Sequence, residues 1–221
     1  MATKTKTKNV SILIVDDHPM MRTGLAQLID NEPDLKVCAE ADNAGQAIDI
    51  VAKQKFDLAL MDISLPDKNG LELLKDFHSL RPEMPVLVVS MHDEMIYAER
   101  VLRAGGRGYI MKQEGGVKFL AAIRQVLAGQ IYVSQNMSAR ILEIFSGRQP
   151  RAAGSPVQKL SDREFEVFQL IGQGIGTRAI AEQLHLSVKT VEVHRANIKE
   201  KLGVKTATDL VRFAVRWADS H

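Results

Sequence analysis

The sequence predicts a doubly wound α/β domain built on a five-stranded parallel sheet, followed by a small all-α domain. Three observations predict it. Residues 10–130 alternate short apolar runs with amphipathic stretches, the pattern of successive strand–helix units. The runs "ILIV" and "VLVV" are unbroken, as parallel strands covered on both faces require. From Leu160 onward there is no strand signal, and helical segments follow one another. A chain of 221 residues has room for two ordinary domains.

In chain order the strands are "VSILIVDD", "LKVCAEA", "LALMD", "VLVVS" and "GYIMK". Helical patterns lie between them: "MMRTGLAQLIDNE", "NAGQAIDIVAKQ", "GLELLKDFHSL", "EMIYAERVLRAG" and "VKFLAAIRQVLAG". Residues 131–159 read as a linker. In it, "IYVSQNMSARILEIFSG" suits a strand end plus a short helix, and "RQPRAAGSPVQ" has the prolines and small residues of a connection. Breaks at "QGIG", "HLS" and "GVKTA" then divide residues 160–221 into helices. Residues 1–9, within the basic "MATKTKTKNV", read as a disordered tail, because "SILIV" is too short for a signal core.

Composition bounds the class. At 45% hydrophobic and 25% charged residues the chain is globular. A net charge of +2 names no partner, but residues 151–221 carry 11 Lys/Arg against 8 Asp/Glu, a mild excess pointing to an anionic one. No apolar run approaches the roughly 20 residues of a membrane span. The single cysteine, Cys38, excludes an intramolecular disulfide framework and fits a reducing cytoplasm. It reads as a small buried apolar side chain.

Ligands of an open parallel sheet bind beyond the carboxyl ends of its strands. The first strand ends in Asp16 and Asp17, the third in Asp62, the fourth in Ser90 and the fifth in Lys112. Each has an ordinary role on its own; an Asp after a strand commonly caps the next helix. Together they place three carboxylates on one edge, and these repel unless a cation compensates. Oxygen donors without His or Cys select a hard divalent ion, Mg2+ first. Lys112 and Ser90 would stabilise a transferring phosphoryl group by charge and hydrogen bonding. A carboxylate can accept that group as an aspartyl phosphate. The turn "SLPDKNG" ends the third strand and is expected to leave Asp62 accessible. His18 reads as a solvent-facing or helix-start residue.

The motifs "VDDH", "MDISLPDKNG", "VVSMHD" and "GYIMK" resemble the receiver domain of bacterial two-component response regulators, a flavodoxin-like fold, across residues 10–130. The resemblance implies that Asp62 is the phosphoacceptor and a sensor histidine kinase the donor. It implies that Asp17, Asp62 and the backbone carbonyl of Ser64 hold Mg2+, with Asp16 acting through water. Lys112 would contact the phosphoryl oxygens. Ser90 and Tyr109 would be the switch pair, the hydroxyl moving to the phosphate and the ring following inward. Pro66 and Gly70 match the turn after the phosphorylated strand. Ser64 and His92 fall where side chains tune phosphoaspartate hydrolysis.

In the second domain, Ser161 and Glu164 form a capping signal. "TRAIAEQLHLSVKTVEVHRANIKEKL" reads as a helix, a tight turn and a second helix capped by Ser187. Ile180, Leu184 and Leu186 pack the turn. At 100° per residue Val191, Ile198 and Leu202 share the core stripe, while Lys189, Glu192, Val193, Ala196 and Glu200 lie opposite. An exposed charged face is commonly just solvated; it also suits a helix entering the major groove. Lys189 could then donate to guanine, Glu192 accept from cytosine, and Val193 meet a thymine methyl. Thr177, Arg178, Thr190, Arg195, Lys199 and Lys201 flank that face at phosphate positions. The stretch "SVKTVEVHRANIKEKLGV" resembles the LuxR-type domain of NarL/FixJ response regulators, matched over residues 160–217. Glu192 departs from relatives that carry Lys there. The last helix presents the stripe Leu210, Phe213, Ala214 and Trp217, suited equally to intradomain core and to a dimer interface.

The expected protein is a cytoplasmic regulator and not an enzyme: phosphorylation at Asp62 promotes homodimerisation and binding to double-stranded DNA. A rival reading is a Mg2+-dependent phosphohydrolase, although no insertion supplies a substrate cap. A second rival uses the first domain only to dimerise, without phosphorylation.

Overall fold

The computed structural model describes residues 9–145, 156–184 and 186–219. The expected tail, apart from Asn9, lies outside them, as does the proline-bearing part of the linker at residues 146–155. Two compact units divide between Phe145 and Ser146.

The first unit alternates strands and helices. These are β1 (Val10–Val15), α1 (Pro19–Asp30), β2 (Leu35–Ala41), α2 (Ala44–Lys53), β3 (Leu58–Met61), α3 (Gly70–Leu80), β4 (Val86–Ser90), α4 (Glu94–Arg103), β5 (Gly108–Met111) and α5 (Gly116–Leu127). The sheet is parallel throughout, in the order β2-β1-β3-β4-β5. Right-handed crossovers place the helix of the leftward step, α1, on one face and those of the rightward steps, α2 to α4, on the other. A single buried cluster on the first face joins Ile12, Ile14, Leu58, Leu60, Leu87 and Val89 to Leu25 and Ile29 of α1 and Phe119 and Ile123 of α5. The chain reverses direction between β1 and β3, so a crevice opens at their carboxyl ends.

Both edges of the sheet are modified. On β2 the register passes from Ile12↔Val37 to Leu13↔Ala39, leaving Cys38 as the extra residue of a bulge. Cys38 is exposed, which corrects the buried placement expected of it. The strand alternates strictly, and Cys38 shares its outward side with Lys36 and Glu40. Along β5, Tyr132 forms a parallel bridge to Gly108, accepting from the Tyr109 amide at 2.8 Å and donating to the Arg107 carbonyl at 3.0 Å. A Cβ on Gly108 would stand 2.8 Å from the Tyr132 carbonyl oxygen, so this approach requires glycine. Beyond Tyr132 runs α6 (Gln135–Phe145). Its approach is tied to α4, where the buried Glu94 accepts from the Ser134 amide at 2.6 Å.

The second unit opens with a 3-10 turn at Pro156–Lys159 and continues as α7 (Asp162–Gly172), α8 (Thr177–Gln183), α9 (Val188–Leu202) and α10 (Ala207–Ala218). Both halves of the capping box at Ser161 and Glu164 form. Ser187 caps α9, which ends on Gly203 in the left-handed region at φ 68°. Phe165, Phe168, Ile180, Val191, Ile198, Leu210 and Ala214 are buried. The Trp217 ring packs edge-on against Phe165 and Phe168, each at 5.5 Å. In the α10 stripe Leu210 and Ala214 are buried within the unit, while Phe213 and Trp217 are partly buried.

Glu164 also anchors α9, because Lys201 Nζ donates to its Oε2 at 2.6 Å. Burial pushes the Glu164 carboxyl up, but Lys201 and the amide and hydroxyl of Ser161 outweigh it and hold the group below its usual 4.5. A depressed carboxylate contributes stability that is complete above its unfolded value and is lost as pH falls through its folded value. Trp217 is the sole tryptophan, so its fluorescence reports on this unit alone. Glu164→Gln is expected to cost about 1–2 kcal/mol at neutral pH. It should also flatten the loss of stability below about pH 5. Acid unfolding followed at Trp217 checks both, and a variant with the wild-type acid limb would refute the assignment.

Candidate functional site

The crevice collects the strand-end residues through backbone register. The Asp62 amide donates to the Val15 carbonyl at 2.8 Å, setting Asp62 beside the end of β1. The Asp16 amide bonds Ala41 O, and the Lys112 amide bonds Ser90 O, so three neighbouring strand pairs hold the site in line. Lys112 Nζ stands 2.6 Å from Asp16 Oδ2 and 2.7 Å from Asp62 Oδ2. Asp62 Oδ1 accepts from the Ser64 amide at 3.1 Å. Asp17 lies outside this pair, its Oδ1 2.6 Å from His18 Nδ1. His18 is exposed and precedes α1, as a helix-start residue would.

One expectation is corrected. Asp62 is 2% exposed, not open to solvent. Lys112 covers its Oδ2 and the Ser64 amide its Oδ1, and the lysine comes from outside "LALMDISLPDKNG". Burial pushes the Asp62 carboxyl up against the pull of Lys112 and the Ser64 amide, and the Asp16 charge adds to the rise. Burial works to lower Lys112, but its bonds to Asp16 and Asp62 prevail and raise it, so it stays charged.

The turn after β3 is built to a tight tolerance. Ser64 and Asn69 form an antiparallel bridge, and Asn69 caps α3 through the Leu71 amide. A Cβ on Gly70 would lie 2.5 Å from Ile63 Cα and 2.8 Å from the Asp62 carbonyl oxygen, so no larger residue fits there. Asp67 reaches out of the turn to the first turn of α2, accepting from the amides of Ala44 and Gly45 at 2.8 and 2.9 Å. Burial raises its carboxyl, but these two amides dominate and hold it below the usual range. The sequence reading missed this anchor; its only local signal was a second Asp inside the turn.

Ser90 and Tyr109 are fully buried beside the site. The Tyr109 ring is turned inward, with its hydroxyl donating to the His92 carbonyl at 2.8 Å. Burial pushes that hydroxyl far up, so it remains a donor. Ser90 Oγ accepts from the His92 amide at 3.2 Å. The His92 ring stacks on Tyr97 and meets Ser64 Oγ at 3.0 Å, tying the loop between β4 and α4 to the turn after β3. Burial and the Lys112 charge lower its ring.

Asp16, Asp17, His18 and Asp62 offer ligand atoms within 4.8 Å of one another. Three carboxylates facing one ammonium leave net negative charge, and the oxygen donor set fits a hard divalent cation such as Mg2+.

On α9, Lys189, Glu192, Val193, Ala196 and Glu200 are exposed while Val191 and Ile198 are fully buried. Thr190, Arg195 and Lys199 are half-buried along the border of that face, and Arg195 lies 4.0 Å from Glu192. Lys201, expected at a phosphate position, is exposed and donates through Nζ to the buried Glu164.

Comparison with known proteins decides the family. Residues 12–124 match the response regulator receiver domain, and residues 158–214 match the bacterial regulatory proteins of the luxR family. The chain belongs to the response regulators. Its receiver is followed by a LuxR-type DNA-binding domain, the composition of a transcriptional regulator. It is 36% identical over 211 residues to the oxygen regulatory protein NreC of Staphylococcus aureus (strain bovine RF122 / ET3-1), spanning 94% of this chain and 97% of that one. A LuxR-family response regulator from Aurantimonas sp. SI85-9A1 is 30% identical with a TM-score of 0.58, covering 63% of this chain and 99% of its own. The fold also matches RcsB of Salmonella enterica serovar Typhimurium, a structure bound to promoter rprA in the presence of the phosphomimetic BeF3-. The TM-score is 0.72 at 24% identity, over 94% and 99% of the two chains. Among the described residues, no helix is long and apolar enough to cross a membrane.

The response regulator's turn yields a direct test. Gly70→Ala is expected to destabilise the receiver by about 1–3 kcal/mol through overpacking against Ile63. Urea unfolding followed by circular dichroism measures it, and an unchanged midpoint would show that the turn has slack.

Proposed function

We propose that Asp62 accepts a phosphoryl group from a sensor histidine kinase and that the resulting charge switches DNA binding by the second domain. The observation that carries this reading is the pair of contacts from Lys112 to Asp16 and Asp62 at one buried crevice. An Asp62 oxygen bonds to phosphorus while the bond to the donor breaks and its electron pair leaves with the donor. Asp17, Asp62 and the Ser64 carbonyl, with Asp16 acting through water, would hold Mg2+, which when bound would supply positive charge for the phosphoryl oxygens. Lys112 pairs with the carboxylate before transfer and follows the charge onto the phosphoryl oxygens afterwards. The Ser90 hydroxyl then turns to the phosphoryl group, and Tyr109, anchored on His92, moves with the loop between β4 and α4.

The modified receiver promotes a homodimer whose two α9 helices read paired half-sites in double-stranded DNA. Lys189, Glu192, Val193 and Ala196 face base edges, and Thr190, Arg195 and Lys199 face phosphates. The location is the cytoplasm, where kinase and promoter are both accessible.

With Mg2+ and a small-molecule phosphodonor, the wild type should gain one acid-stable, base-labile phosphoryl group, and Asp62→Asn none. Equal labelling of the variant would refute the site. Sustained turnover of small phosphate esters would instead make the protein a phosphohydrolase.

Binding curves across salt concentrations test the second domain. Lys189→Ala should relax base preference, by about 1–3 kcal/mol at one position. Lys199→Ala should weaken all sequences alike and reduce the salt slope by about one. Unaltered sequence preference in Lys189→Ala would remove it from the base-reading set.

A further inference from the structure

Arg22, on the first turns of α1, reaches back toward the strand end. Its Nη1 donates to the carbonyl oxygen of Asp16 at 2.5 Å, and its Nε faces Glu40 Oε2 on β2 at 3.5 Å. The side chain is 17% exposed, so little water competes for the carbonyl. That carbonyl shares one rigid peptide plane with the amide of Asp17. Holding the oxygen therefore fixes the plane through which the chain enters Asp17 and the position of its Cα, leaving rotation about the N–Cα bond as the backbone freedom that aims its Cβ.

Asp16 is already secured from several sides. Its amide bonds Ala41 O, its Oδ1 accepts from the His18 amide at 2.9 Å, and its Oδ2 meets Lys112. Asp17 is different. Its carboxylate is 35% exposed and faces a histidine that is itself 64% exposed. Apart from that contact at 2.6 Å, its tie to the strand end is the peptide behind it, clamped by Arg22.

We propose that Arg22 is a positioning residue for the cation site, orienting Asp17 through the Asp16–Asp17 peptide without touching the ion. This rests on the reading that Asp16, Asp17 and Asp62 hold Mg2+. Two effects of the guanidinium oppose each other. Its charge repels a nearby cation, so removing it would tighten Mg2+ binding. Its hydrogen bond preorganises a ligand, so removing it would weaken binding. Glu40 faces the guanidinium and offsets its field, which leaves orientation as the larger effect.

The sign of the change decides between them. Mg2+ is titrated into the full chain by calorimetry, with the backbone amide shift of Asp17 recorded before metal is added. Arg22→Met keeps the side-chain stem and is expected to weaken Mg2+ binding about tenfold and to move the Asp17 amide shift in metal-free protein. Arg22→Lys keeps the charge but loses the planar fork whose Nη1 and Nε address the Asp16 carbonyl and Glu40 separately, so a weakening of about threefold is expected. The lysine variant also carries the test if the methionine variant does not fold. Mg2+ affinity at or above wild type in either folded variant overturns the proposal. Asp17→Asn separates the two levels: if it binds Mg2+ like wild type, the cation site itself is wrong. If it loses Mg2+ while the Arg22 variants do not, only the role of Arg22 falls.

Discussion

The receiver is organised around one buried ammonium. Lys112 arrives on the edge strand β5 and extends across the crevice to carboxylates that end β1 and β3. Asp16 and Asp62 are each 2% exposed, and neither would tolerate ionisation at that depth without it. Removing one partner of such a group leaves uncompensated charge in the interior, a cost of about 3–5 kcal/mol. The same arrangement makes the site responsive. Any change of charge on Asp62 alters what Lys112 must pair with, and Lys112 is bonded through its own backbone to Ser90.

Around that pair, stiffness is distributed unevenly. The turn after β3 is held at Gly70 by contact with the backbone of Asp62 and Ile63, and at Asp67 by the first turn of α2. The loop after β4 relies on softer elements: the Ser90 hydroxyl, the Tyr109 bond to a carbonyl, and a stacked histidine. Asp62 is thus held by closely packed backbone, while the neighbouring loop rests on single side-chain contacts.

Much of this was legible in the sequence. Strand ends are marked by the first polar residue after an apolar run, so Asp16, Asp17, Asp62, Ser90 and Lys112 could be brought to one edge from topology alone. Helical arithmetic likewise separated Val191 and Ile198 from the outward face of α9. What was not legible depends on partners far along the chain. Asp62 is roofed by a lysine 50 residues away, Asp67 caps a helix more than 20 residues earlier, and Lys201 is claimed by a glutamate 37 residues before it. Cys38 failed for a different reason. Its exposure follows the alternation of β2, which sets it on the outward side with Lys36 and Glu40, at the point where the register to β1 slips.

That slip has a consequence for how copies of the protein meet. An uninterrupted outer strand is a template for further strands, and proteins with one are prone to stack through their sheets. Here β2 is kinked at Cys38 between the charged Lys36 and Glu40, and β5 is partly covered by the chain's own Tyr132. Growth of the sheet from one molecule into the next is discouraged at both borders.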